Sequence, residues 1–284
     1  MIILDYSAIC MSSFFARGSS AEEGLLRHFI LNSIRMNNLR FRDKYGEMVI
    51  ACDGRSWRKD YFAEYKAKRK KNREASDIDW EQVFTVFSKV KDELEEYMPY
   101  KVIRHPNAEA DDVIGALVKE TQNFGKHQKI MIVSSDKDFV QLQKYNNVEQ
   151  WSPITKKFLI EKNPYNYLYE HIFKGDSGDG VPNVLSDDDT FVTEKRQTPL
   201  SKVKIAFWMN NLNDLESAMT TKELRNFHRN QKMIDLDKMP ENIYDEIIQN
   251  YENQPKKTNM KILNYLVTRR CNQLIESVGD FTNE

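Results

Sequence analysis

Three cysteines in 284 residues, Cys10, Cys52 and Cys271, are too few and too scattered for a disulfide framework or a thiolate metal site. They read as reduced packing thiols of an intracellular protein. No apolar run approaches the length of a membrane span. Met1 leads straight into "IILD", without the basic flank and apolar segment of a secretory leader. A soluble, cytoplasmic chain with no membrane partner is therefore expected. Excess charge is missing too: 42 Lys and Arg against 43 Asp and Glu leave a formal net charge of −1. That excludes a uniformly basic nucleic-acid binder and leaves room for a local patch. No G-x-S-x-G occurs, and none of the five histidines pairs with a candidate nucleophile, so a serine or cysteine hydrolase finds no support. Internal repeats and long low-complexity tracts are also absent.

What is present is a core-sized apolar fraction, 40% of residues, in an alternating order. "MIILDY" (1–6), "EMVIACD" (47–53), "YKVIRH" (100–105) and "KIMIVSS" (129–135) read as strands. Between them, helical spacing runs from about Ser20 to Leu39, from Trp80 to Leu94, and over 109–124. Residues 148–162 read as a last strand with a hairpin. This alternation predicts an α/β fold, a mostly parallel central sheet with helices on both faces. From Pro164 onward the pattern turns helical. The polar, turn-rich stretch 185–199 reads as an insertion and a mobile loop.

The strands end in acids. Asp5 and Asp53 close the first two. Glu109, Asp111 and Asp112 surround the helix start after the third, and Asp136 and Asp138 follow the fourth. Asp176 and Asp179, in "KGDSGDGVP", are the next candidates. Any one of these alone reads as a cap or a turn residue. Together, at the carboxyl edge of a parallel sheet, they would repel one another unless cations lie between them. The donors are hard oxygens, and no His or Cys stands nearby at metal-ligand spacing. That selects Mg²⁺, with Mn²⁺ as substitute, over zinc, and the cluster is rich enough for two ions.

One segment carries the missing positive charge. "RSWRKDYFAEYKAKRKKNR" (55–73) has nine Lys or Arg against two acids, with Trp57, Tyr61, Phe62 and Tyr65 interleaved. A solvated helix face is the bland reading. A nucleic-acid backbone site, with rings free to stack on exposed bases, explains the aromatics as well.

These residues resemble the flap-endonuclease-like 5′-nuclease family, most closely its T-even-phage ribonuclease H branch. "LDYS", "ACDG", "EADD", "SSDKDF" and "GDSGD" occur in the family's order, "EYKAKR" (64–69) looks like its arch motif, and the resemblance covers almost the whole chain. It implies a PIN/5′-nuclease-like catalytic domain over 1–163, with a basic arch at 55–79. A smaller helical DNA-binding domain over 164–284 would follow, its helix–hairpin–helix modified by the 185–199 insertion. Gly180 and Asn183 depart from the family's Asn and Gly. The implied activity is Mg²⁺-dependent 5′ to 3′ exonuclease and flap endonuclease cleavage, removing RNA primers and 5′ flaps in phage DNA replication by two-metal hydrolysis. Asp5, Asp53, Glu109, Asp111, Asp112, Asp136 and Asp138 would be the main metal carboxylates, Asp136 the catalytic one, and Asp176 and Asp179 would complete the second position. Lys66 and Arg69 would contact the scissile phosphate, Lys68 and Lys70 the backbone, and Tyr65 would stack on the terminal base. The expected partners are duplex DNA with a 5′ end or flap and RNA/DNA hybrid, with a phage single-stranded DNA-binding protein and a sliding clamp as docking candidates. A monomer in the host cytoplasm is expected, without an N-terminal clamp-recruiting extension. A PIN-type ribonuclease, or a non-catalytic DNA-junction binder on the same fold, is the alternative.

Overall fold

The computed structural model describes residues 1–16, 18–123, 127–255 and 257–282, and the side chain of Lys70 lies outside the described set. Among the described residues six strands form one sheet: β1 (Ile2–Asp5), β2 (Met48–Cys52), β3 (Lys101–Arg104), β4 (Ile130–Val133), β5 (Val148–Ser152) and β6 (Lys157–Leu159). Their spatial order is β3-β2-β1-β4-β5-β6, parallel throughout except for β6, which returns antiparallel to β5. The expected parallel sheet and terminal hairpin are therefore both present.

β1 is apolar from Ile2 to Leu4 because both of its faces are covered. Ile2 and Leu4 join Ile50, Val102, Met131 and Val133 in one core, packed by the helices Tyr6–Phe15, Glu23–Tyr45 and Trp80–Tyr97. Ile3, Val49, Ala51, Ile103 and Ile132 alternate to the other face, where the helix Ala110–Glu120 lies against β1, β2 and β3. The helix Tyr6–Phe15 escapes a sequence reading because the last strand residue is its cap. Asp5 accepts a hydrogen bond from the Ala8 N–H at 3.0 Å.

Strand order reverses between β1 and β4: connections from β1 lead toward β2 and β3, those from β4 toward β5. In an open α/β sheet the crevice at such a switch point, beyond the carboxyl ends, is the natural ligand site. Asp5 and Asp136 flank it.

Packing groups the described residues into two units: 1–55, 78–160 and 241–284 in the first, 56–77 and 161–240 in the second. This differs from a division at 163/164. The described residues of the stretch from Glu241 onward close the sheet's edge: the Gln254 side chain accepts from the Val102 N–H (3.2 Å) and donates to the Val102 carbonyl (2.7 Å), pairing the open side of β3. Lys101 donates to the Tyr251 carbonyl, and the Tyr244 hydroxyl to Glu120.

In the second unit the helices Pro164–Lys174, Lys202–Asn210 and Thr221–Ile234 bury Phe173, Trp208 and Phe227 together. The segment 185–199, expected to be mobile, is tied down. Arg225 and the buried Arg229 both bind Asp188, Lys222 binds Asp187 at 2.6 Å, and the Ser186 hydroxyl accepts from the Thr198 N–H. Arg229 also donates to the Pro182 carbonyl at 2.8 Å. The helices on either side are joined by this long turn-rich stretch rather than by a short hairpin. Its polarity misleads because the partners of Asp187 and Asp188 are basic residues of a later helix. Arg229→Ala removes one of the two donors to the Pro182 carbonyl, Asn230 being the other, and one of the two arginines on Asp188, so a loss of about 1–3 kcal/mol is expected in denaturant unfolding, with faster amide exchange over 182–198. Unchanged exchange there would show that the segment does not depend on this arginine.

Candidate metal centre and phosphate clamp

In the first unit the strand ends do gather acids. Asp5 is buried, accepts from the Ser134 hydroxyl at 2.9 Å, and feels the like charges of Asp53 and Asp136. Burial is the largest cause of its raised pKa, pushed up to about 7, and the two neighbouring carboxylates add to it. Asp53 accepts from the Ala110 N–H at 2.8 Å, which joins the end of β2 to the first turn of the helix that carries Glu109, Asp111 and Asp112. Asp136 Oδ1 accepts from the Asp138 N–H, and the Asp136 N–H donates to Ser134 Oγ. Ser134 thus steadies both Asp5 and Asp136, a role that residue counting missed although "SSDKDF" contains it.

Asp112 is the exception. It is fully buried, and its Oδ2 accepts from the Glu109 N–H at 3.0 Å as half of a capping box. The capping reading, bland for the group, accounts for this one oxygen of Asp112.

Close approach of two backbones makes the gathering possible. A Cβ on Gly54 would stand 2.0 Å from the His105 carbonyl oxygen, and the Gly54 N–H donates to the Ala108 carbonyl at 2.7 Å. Only glycine lets the end of β2 lie against the loop leading to Glu109.

Whether these residues fit a metal turns on magnitude. Two carboxylates about 5 Å apart repel by ~3 kcal/mol at an effective dielectric near 20. The helix N-terminus beside Asp53 returns only ~0.3–1 kcal/mol. The deficit, hard oxygen donors and a buried Asp5 driven toward protonation together suit a divalent cation.

The second unit holds the other expected residues. Asp176 is held below the usual carboxylate range: burial works against this, but His171 at 3.6 Å and the N–H groups of Asp179 and Gly178 outweigh it. The expectation that no histidine stands beside the acids is thus corrected. His171 lies in the last turn of its helix, and the chain folds back through Gly175 to bring Asp176 to it.

Asp179 faces the basic segment. Tyr65 donates its hydroxyl to Oδ2 at 2.9 Å, Lys66 Nζ lies 3.3 Å from the same oxygen, and Arg69 binds Oδ1. Lys66 adopts a left-handed conformation (φ 56°, ψ 15°) just before the helix Ala67–Glu74, costing about 1–2 kcal/mol for a side chain of this kind. Strain of that size at a site residue marks a conformation imposed by its surroundings.

Two expectations for this segment need correction. Trp57, Phe62 and Tyr65 are buried, Tyr65 at 2% exposure, so these rings are core and not stacking platforms; Tyr61, half exposed beneath Lys232, is the exception. Arg58, also 2% exposed, donates to the Met233 carbonyl and is structural. The cause is common to all four: the segment needs its own apolar anchor to hold so many cations. Lys68 lines an open groove of about 850 Å³ with Lys174, Lys195 and Arg196. Lys70, whose side chain is outside the described residues, receives no placement.

Comparison with known proteins gives the family of the chain. The family model described as "5'-3' exonuclease, N-terminal resolvase-like domain" matches residues 1–169, and "T4 RNase H, C terminal" matches 165–281. The chain belongs to the 5′–3′ exonuclease family. It is 36% identical to the ribonuclease H of Enterobacteria phage T4, over 98% of this chain and 95% of that one. A phage T5 5′-exonuclease solved with zinc shares the fold at TM-score 0.63 and 14% identity, over 89% of this chain and 98% of its own. A bacteriophage T5 flap endonuclease, solved as a pseudo-enzyme–product complex with DNA and metal ions, does so at TM-score 0.60 and 17% identity, over 89% and 99%. The family has the resolvase-like 5′-nuclease fold with a helical C-terminal part, as expected from the sequence.

Gly54→Ala should force apart the backbones that bear Asp53 and Glu109. The expected outcome is a lowered unfolding midpoint together with weakened Mn²⁺ binding. A variant with wild-type values of both would show that the close approach is not needed.

Proposed function

We propose that this chain is a divalent-metal-dependent 5′ to 3′ exonuclease and flap endonuclease of the ribonuclease H type, acting on RNA primers and 5′ flaps during phage DNA replication. One observation carries the reading: in a 5′–3′ exonuclease family member, Asp5, Asp53 and Asp136 converge at the sheet's switch point with too little positive charge of their own. Asp5, Asp53, Glu109, Asp111, Asp136 and Asp138 would hold the ions, Mg²⁺ by the hardness of the donors. When bound, such ions neutralise the carboxylates and supply Lewis-acid activation for phosphodiester hydrolysis.

The chain's own residues do the rest. Ser134 and the Ala8 N–H fix the two oxygens of Asp5, and the Ala110 N–H orients Asp53, so that the ligands need little rearrangement. Lys66 and Arg69 receive the substrate phosphate, where a guanidinium and an ammonium stabilise charge that grows as the bond to the leaving oxygen breaks. Lys68, with the other cations of its groove, would follow the backbone of the same strand. The relative's name, ribonuclease H, and the neighbour solved with DNA support duplex DNA and RNA/DNA hybrid as substrates.

A PIN-type ribonuclease would share the acidic sheet edge, but both family matches and the second unit's helices fit the 5′-nuclease reading better. Against a non-catalytic junction binder stand the intact acid positions. The deciding experiment is Asp136→Ala on a 5′-labelled primer–template. Cleavage in Mg²⁺ should fall by at least about a thousand-fold, while duplex binding in Ca²⁺ stays within a few-fold. Cleavage at the wild-type rate would remove Asp136 from the site and the reading with it.

A further inference from the structure

The segment 64–69 and the turn 176–180 are fastened to each other more closely than a mobile arch requires. The Lys66 N–H donates to the Asp179 carbonyl at 2.7 Å. Gly180, at φ 76°, brings its backbone so near that a Cβ there would stand 3.1 Å from the Glu64 carbonyl oxygen. Across this junction the Asp179 carboxylate binds Tyr65 and Lys66 on one oxygen and Arg69 on the other, and Arg69 Nε reaches the Gly178 carbonyl at 3.4 Å.

The buried phenol is the odd member. Its ring is covered, so it cannot stack on a base, and it brings no charge. It does bring direction: one O–H fixes one carboxylate oxygen, which sets the other toward Arg69. A carboxylate held by an arginine and a lysine also presents to them what a phosphate does, two anionic oxygens. A phosphodiester reaching these cations would meet a pair already spaced for it.

We propose that Tyr65 is a positioning residue: through Asp179 it sets Lys66 and Arg69 in the spacing in which they receive the substrate phosphate. This rests on the nuclease reading above. Tyr65 contributes nothing by ring contact with the substrate, and Asp179 serves as the template anion of the substrate-free clamp. The left-handed Lys66 and the Gly180 close approach are the backbone side of the same device.

The test uses the full chain and four variants, Tyr65→Phe, Tyr65→Leu, Arg69→Ala and the double Tyr65→Phe/Arg69→Ala, each checked for thermal unfolding. Three quantities are read: single-turnover cleavage of a 5′-phosphorylated nicked duplex in Mg²⁺, duplex affinity in Ca²⁺, and Mn²⁺ affinity by calorimetry without DNA. Tyr65→Phe should slow cleavage roughly ten- to a hundred-fold, as small misplacements of positioned groups do, with both affinities within two-fold of wild type. The double variant should be no more than about two-fold slower than Arg69→Ala, because both changes act on one unit. If Tyr65→Phe cleaves normally and Tyr65→Leu does not, the ring is what matters and the proposal fails. Multiplying effects in the double variant, or a loss of Mn²⁺ affinity in Tyr65→Phe, overturn it as well. Should Tyr65→Phe unfold, Asp179→Asn takes its place with the same expected non-additivity against Arg69→Ala. Failure of the nuclease reading looks different: the wild-type chain itself would not cleave.

Discussion

Repulsion among carboxylates at the carboxyl edge of the sheet is the constraint around which the first unit is organised. β1 is buried on both faces, so Asp5 cannot turn away from Asp53 and Asp136; burial first, and these like charges after it, push its pKa up to about 7. Among the described residues, the groups that hydrogen-bond the carboxylates of Asp5, Asp53 and Asp136 are neutral donors: a serine hydroxyl and backbone N–H groups of Ala8, Ala110 and Asp138. They orient the oxygens without discharging them. A fold selected for stability alone would place apolar residues or lysines here, since an unneutralised charge cluster opposes folding.

The second unit solves the inverse problem. A segment crowded with Lys and Arg is held by its aromatic residues, which form its anchor, and by acids supplied from elsewhere, Asp179 to Lys66 and Arg69, Glu194 to Lys71. Arg58 and Arg229 are drawn inside and satisfied by carbonyls at Met233 and Pro182. Charge in this unit therefore has two fates: buried cations hold the scaffold, and others, Lys68 and the Asp179-bound Arg69 among them, stay exposed at the surface.

Much of the fold is legible in the sequence because strand runs and acids recur in the same phase. β1, β2, β3 and β4 fall inside the four apolar runs, and each run ends in or feeds an acid. What is not legible is any assignment that depends on a distant partner. Asp112 reads like its neighbours Glu109 and Asp111, yet it caps the helix while Asp53 reaches the same turn from another strand. Tyr65 reads as a stacking ring because its role comes from Asp179, more than a hundred residues away. The stretch 185–199 reads as a free loop because Arg225 and Arg229, which hold it, lie in a later helix. Ser134 and His171 are ordinary residues until the chain is folded around them.

The most direct test of the central claim is the anomalous difference map of a crystal of the wild-type chain soaked in Mn²⁺. The expected result is a peak among Asp5, Asp53 and Asp136, with carboxylate oxygens about 2.1–2.3 Å away. The contradicting result is an empty map at the sheet edge, or those oxygens spread over separate surfaces with no ion between them.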